Sequence, residues 1–132
     1  MVNARYARGA SFERDLCAAA WQHGYACIRG AASGGARRRW SQPDVVIIHD
    51  GVCWAIECKA TRSDSYRVVI SRLGKLLEWS RRSSCAPIVA VRFAGRGYDA
   101  ARVDAYADTV EVFALKPRFR TIQQLLQHII IL

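Results

Sequence analysis

The sequence predicts a mixed β-sheet flanked by helices, an α/β or α+β fold in a single domain. Stretches with apolar residues at helical spacing stand near either end of the chain, at 8–23 and 121–130. Between them lie short apolar runs of strand character at 44–49, 52–59, 88–93 and 110–115. Turn signals at Gly24, at Asp50-Gly51 and at Gly95 with Gly97 separate these segments.

Phe12, Leu16, Ala19, Ala20 and His23 recur at spacings of three and four, which defines a helix over 8–23, and Gly24 suits its left-handed cap. Residues 25–29 read as a short strand. From 30 to 42 the chain is rich in Gly, Ser and Arg without periodicity, the pattern of a mobile basic loop, and Pro43 returns it to an extended course. Val45, Val46, Ile47 and Ile48 form a continuous apolar run, as in a strand covered on both faces. Asp50-Gly51 then makes a hairpin turn into a strand over 52–59. There the two-residue period puts Cys53, Ala55, Glu57 and Lys59 on one face, and Val52, Trp54, Ile56 and Cys58 on the other.

Residues 61–67 are polar and read as a loop, and Ser71 is placed to cap a helix reaching Ser83 with Leu73, Leu76 and Leu77 inward. A buried strand follows at 88–93. The stretch 95–108 sends conflicting signals, a turn at its glycines and then either a short helical piece or an elaborated loop. A strand at 110–115 precedes a final helix capped by Thr121, in which Ile122, Leu125, Leu126, Ile129 and Ile130 make one apolar stripe.

A chain of 132 residues, 52% hydrophobic and 23% charged, has the size and composition of one globular domain. No apolar run approaches the length of a membrane span, and the N-terminus carries polar and charged residues where a signal peptide would be apolar; the expectation is an intracellular protein with no membrane partner. Five cysteines, an odd count with no CxxC pair, argue against a disulfide framework and a zinc site, and predict buried free thiols in a reducing compartment. A net charge of +9, supplied mostly by arginine, points to a polyanionic partner: DNA, RNA or an anionic membrane face.

Chemistry is concentrated in Pro43-Asp44, a hairpin, and Glu57-Cys58-Lys59. Adjacent antiparallel strands can bring Asp44 and Glu57 together at one edge of the sheet, where two carboxylates repel unless a divalent cation lies between them. Mg²⁺ takes oxygen ligands and keeps several waters, so a few carboxylates and a substrate phosphate satisfy it. Lys59, beside Glu57, can orient or deprotonate the attacking water, or offset charge on the phosphorus centre. Either half of the motif alone is more often structural, a strand entry or a solvated face. The histidines His23, His49 and His128 lack metal-ligand spacing and read as structural.

Four segments, taken in order, resemble the archaeal Holliday junction resolvase family over residues 8–93. They are Gly9-x-x-x-Glu13-Arg14-Asp15-Leu16; Arg29-Gly30-Ala31-Ala32-Ser33 ahead of Pro43-Asp44; Ile56-Glu57-Cys58-Lys59; and Leu76-Leu77-Glu78-Trp79-Ser80-Arg81-Arg82. The resemblance implies a restriction-endonuclease-like fold, and a homodimer that uses Mg²⁺, with Mn²⁺ able to substitute, to nick opposing strands of four-way DNA junctions. It implies that Glu13 joins Asp44 and Glu57 as a third acidic metal ligand, and that Arg14 and Arg29 grip phosphates near the site. It also implies that Ser33 sits in a mobile loop that can approach the scissile phosphate. The segment 94–108 departs from the usual family ending. Arg8 and the run Arg37-Arg38-Arg39, followed by Trp40, complete the candidate DNA-binding set, although a charge run of this kind is equally a solvated surface. Two rivals stay open: a restriction-type or repair endonuclease on the same fold, and a non-enzymatic nucleic-acid-binding protein.

Overall fold

The computed structural model describes residues 4–30 and 42–132, with side chains from Gly9 onward. The elements are α1 (Ala4–Gln22), β1 (Ala26–Arg29), β2 (Val45–His49), β3 (Val52–Thr61), β4 (Tyr66–Val69), a 3₁₀ turn (Ile70–Leu73), α2 (Gly74–Ser83), β5 (Ala86–Phe93), β6 (Gly97–Arg102), β7 (Val112–Leu115) and α3 (Ile122–Ile129). Five strands form a mixed sheet in the order β1-β2-β3-β5-β6, and β4 pairs with β7 in a separate ribbon. Only β3 and β5 run parallel in the main sheet, joined by the crossover that contains β4 and α2.

Each face of the sheet has its own apolar layer. Phe12, Leu16, Ala19 and Ala20 of α1 and Leu125, Leu126 and Ile129 of α3 pack on Val45, Ile47, Ile56, Ile88 and Ala90. On the opposite face Val46, Ala55, Val89, Val91 and Phe93 meet Leu76 of α2 and Val68 and Leu115 of the ribbon. The continuous apolar pattern of β5, with Ile88, Val89, Ala90 and Val91 all at most 1% exposed, follows from this coverage on both sides. Strand β2 departs from the expected double burial at its end, where Ile48 is 39% exposed.

Several elements differ from the sequence reading. Helix α1 begins at Ala4, a turn earlier than its apolar stripe indicates. The polar stretch before α2 contains β4, held by β7 through pairs from Tyr66↔Leu115 to Val69↔Val112. Ser71 does not cap α2; the 3₁₀ turn intervenes and Leu73 stands at the cap position with no side-chain bond. The ambiguous stretch after β5 is strand β6, whose Gly-Tyr-Asp-Ala-Ala-Arg sequence has little strand preference and is extended because β5 offers it an antiparallel ladder. Thr121 does cap α3, in a full capping box with Gln124.

The cysteines correct the thiol expectation. Cys17 is bonded to Cys27 and Cys53 to Cys85, with Cα separations of 5.6 and 4.7 Å, and Cys58 is the free one, buried. Spacing along the chain conceals both pairs. Cys53 and Cys85 lie one position before the parallel rung Trp54↔Ala86, so β3 and β5 bring residues 32 apart into register.

Candidate active site

The antiparallel pairing of β2 with β3 aligns Val45 with Ile56, so Asp44 and Glu57 stand opposite each other one position beyond the last ladder pair. That is where β2 begins and where the neighbouring edge strand β1 ends, since Arg29 pairs with Val45 and the Gly30 amide donates to the Asp44 carbonyl at 2.8 Å. Pro43 directly before Asp44 is buried, and its ring holds the chain in the extended entry that delivers the carboxylate to this margin. The Cys58 amide donates to Asp44 Oδ2 at 2.9 Å, and the Asp44 and Glu57 carboxyls stand close enough for the charge of Asp44 to act on Glu57.

Glu13 arrives from α1. It is 9% exposed and receives a hydrogen bond from Arg29 Nη2 at 3.4 Å, which ties the helix to the end of β1. The disulfide Cys17–Cys27 makes a second tie between the same elements, since Cys17 lies one turn after Glu13 and Cys27 two residues before Arg29. Arg14, next to Glu13, is exposed and acts on Glu13 through its charge.

The electrostatics are those of crowded carboxylates. Burial, then the charge of Asp44, raises Glu57 to about 7, against the opposing pull of Lys59. Burial, then Asp44, also raises Glu13, with Arg29 and Arg14 working the other way. Burial raises the Cys58 thiol well above its usual range, helped by the negative charge of Asp44, Glu13 and Glu57, so it stays protonated. Glu57, Asp44 and Glu13 therefore act on one another, and Lys59 balances part of their charge. Among the described residues no group of three or more His, Cys, Asp or Glu side chains stands ready to enclose an ion between them.

The structure thus brings together Asp44, Glu57, Lys59, Glu13, Arg14 and Arg29. Ser33 and the run Arg37, Arg38 and Arg39 with Trp40 lie outside the described residues, and Arg8 is described only in its helical backbone. Sequence reasoning missed the Cys58 amide that orients Asp44 and the disulfide beside the Glu13–Arg29 pair. A backbone donor carries no residue signature, and the disulfide joins a helix to a strand across a turn.

No helix among the described residues is long and apolar enough to cross a membrane. The family model for the archaeal Holliday junction resolvase (Hjc) matches residues 4–121. The crossover junction endodeoxyribonuclease Hjc of Methanocaldococcus jannaschii is 29% identical over 91 residues, covering 69% of this chain. That match spans 63% of the relative's own length. In fold, the chain is similar to the Archaeoglobus fulgidus Hjc structure, described as a Holliday junction resolvase from an archaeal hyperthermophile, with a TM-score of 0.64 over 82% of this chain and 83% of that one at 24% identity. A model match that runs from the first helix to the cap of the last one shows that this chain belongs to the archaeal Holliday junction resolvase (Hjc) family.

Proposed function

We propose that this protein is a Mg²⁺-dependent endonuclease that resolves four-way DNA junctions by paired nicks, acting as a homodimer. The observation that carries the reading is the juxtaposition of Asp44 and Glu57 at the sheet margin, with Lys59 beside Glu57. Two half-buried carboxylates set against each other, with the Asp44 charge raising the proton affinity of Glu57, are poorly satisfied by themselves and are the oxygen donors a hard divalent ion prefers. Since Mg²⁺ is usually held by one or two carboxylates plus substrate phosphates, this pair suffices without a closed cage of protein ligands. Asp44 and Glu57 would hold the ion, with Glu13 completing the acidic set. Mn²⁺ has the same oxygen preference and would substitute.

A bound divalent ion supplies a water of lowered pKa and stabilises charge on the leaving oxygen. The chain's own residues do the rest. The Cys58 amide fixes Asp44 through one carboxylate oxygen. Lys59, as a cation, can hold the attacking water in line or offset charge on the phosphorus centre. Arg29 and Arg14 present guanidiniums to the flanking phosphates by charge-assisted hydrogen bonds. The net charge of +9 draws the polyanion to this surface. A twofold-symmetric dimer sets two such centres on one face, which suits a pseudo-symmetric junction.

The test incubates the protein with a synthetic four-way junction, a duplex and a single strand, each with Mg²⁺ or with EDTA. Symmetric nicks in the junction that need metal are expected. Equal cutting of duplex would favour a restriction-type or repair nuclease, and binding without cleavage in any metal would reduce the protein to a nucleic-acid binder.

A further inference from the structure

A cleft of about 340 Å³ opens between the β5–β6 hairpin and the segment that leads into α3, within the size range of small-ligand sites. Arg92, Arg96 and Arg120 line it, together with Tyr98 and the two hairpin glycines Gly95 and Gly97. Arg92 is held in place: its Nη2 donates to Asp15 at 2.7 Å and to the Tyr98 hydroxyl at 3.2 Å, and its guanidinium lies over the rings of Phe12 and Tyr98, 5.1 and 5.4 Å from their centroids. Arg96 and Arg120 are exposed, and neither has an acidic partner among the described residues. The cleft therefore presents three guanidiniums answered by one carboxylate.

Its position relates it to the carboxylate centre. Glu13 leaves one flank of α1 toward Arg29 and Asp44, whereas Asp15 leaves the other toward Arg92. Arg92 lies three positions beyond Val89, the β5 partner of Glu57, roughly 10 Å along the strand direction. The odd offset places the two side chains on opposite faces of the sheet, Glu57 with Ala55 on the α2 side and Arg92 with Ile88 and Ala90 against α1. The cleft walls are also fixed. The Tyr98 and Phe119 amides bond each other's carbonyls at 2.8 and 2.9 Å, and Gly97 sits so close to the Phe119 carbonyl that any side chain there would collide with it.

We propose that the Arg92–Arg96–Arg120 cleft is a second phosphate-binding site, which grips the DNA backbone outside the carboxylate centre of Asp44 and Glu57. Arg92, pinned by Asp15 and two aromatic rings, provides a preorganised donor face, and Arg96 and Arg120 close on the phosphate from either side. Bidentate guanidinium–phosphate geometry suits this arrangement better than a single point charge. The inference rests on the junction-cutting reading above.

The test measures binding of a labelled four-way junction across a potassium chloride series for three proteins, each checked for the parent melting temperature. They are the parent, Arg96→Ala/Arg120→Ala, and the charge-matched control Arg67→Ala/Arg72→Ala on the opposite face of the sheet. Each lost phosphate contact lowers the slope of log K against log salt by about 0.9, so the cleft variant, which gives up one phosphate per protomer, is expected to lose about 0.9 per protomer and the control markedly less. A cleft variant with the parent slope, or one no different from the control, overturns this site alone. A parent that binds no DNA overturns both readings.

Discussion

The backbone N–H of Cys58 donates to the Asp44 carboxylate at 2.9 Å, joining residues 14 apart across the start of β2 and the middle of β3. The contact uses the one ladder position at which β2 has run out, so an amide that would otherwise bond a neighbouring strand orients an acidic side chain instead. Because the donor belongs to the backbone, the orientation of Asp44 is as rigid as the sheet. Glu57, immediately before that amide, is thereby brought against the same carboxylate.

This geometry predicts how the two carboxylates respond to neutral replacements. Asp44→Asn keeps an oxygen for the Cys58 amide and Glu57→Gln keeps the side-chain volume, so both variants should fold and bind junction DNA. Cleavage should fall by at least about 10²-fold in each, the order of magnitude lost with one preorganised charge-stabilising group. Nicking assays at saturating protein, run beside a binding assay, check this; a variant that cuts at the parent rate would remove its residue from the centre.

Stability in the absence of divalent metal should depend on pH through Glu57. Its proton affinity is raised in the folded protein, to about 7, above the ordinary value of 4.5. The folded state thus binds more protons than the unfolded state between these values, and the contribution is fully present below 4.5 and lost as pH rises through 7. The window is worth on the order of 2–3 kcal/mol after allowance for partial solvent access. Urea denaturation in EDTA from pH 5 to pH 8 should show the decline, and Glu57→Gln should flatten it; a parent as stable at pH 8 as at pH 5 would contradict the crowded-carboxylate picture.

The two disulfides should contribute unequally. Cys53–Cys85 closes a loop with a sequence separation of 32 and Cys17–Cys27 one of 10. Chain-entropy arithmetic gives roughly 3.7 and 2.7 kcal/mol for such loops, so Cys53→Ser should cost about 1 kcal/mol more than Cys17→Ser. Thiol counting on the denatured protein must first show one free cysteine; five would remove the premise.

Gly97 should tolerate no side chain. Its φ is +123°, and a Cβ there would run into the Phe119 carbonyl, which already accepts a bond from the Tyr98 amide. Gly97→Ala should destabilise by about 2 kcal/mol or more and loosen the hairpin against α3, read as a lowered melting temperature. Gly95→Ala, with φ +70° but open space around it, should cost less.

Local pattern in the amino-acid sequence by itself determined the terminal helices, the hairpin of β2 and β3, β5 and β7, because alternation, helical spacing and capping are written within one turn or one strand. Thr121 is the clearest case, since its partner Gln124 lies three residues away. The Pro43-Asp44 and Glu57-Cys58-Lys59 motif was legible for the same reason: a two-residue turn brings its halves together. Only the tertiary structure decided β6, the β4–β7 ribbon, both disulfides, the Glu13–Arg29 pair and the arginine cleft. Their partners are remote in the chain, as in Arg92 and Asp15, 77 residues apart, and a residue with weak local preference takes the conformation that its distant neighbour makes favourable.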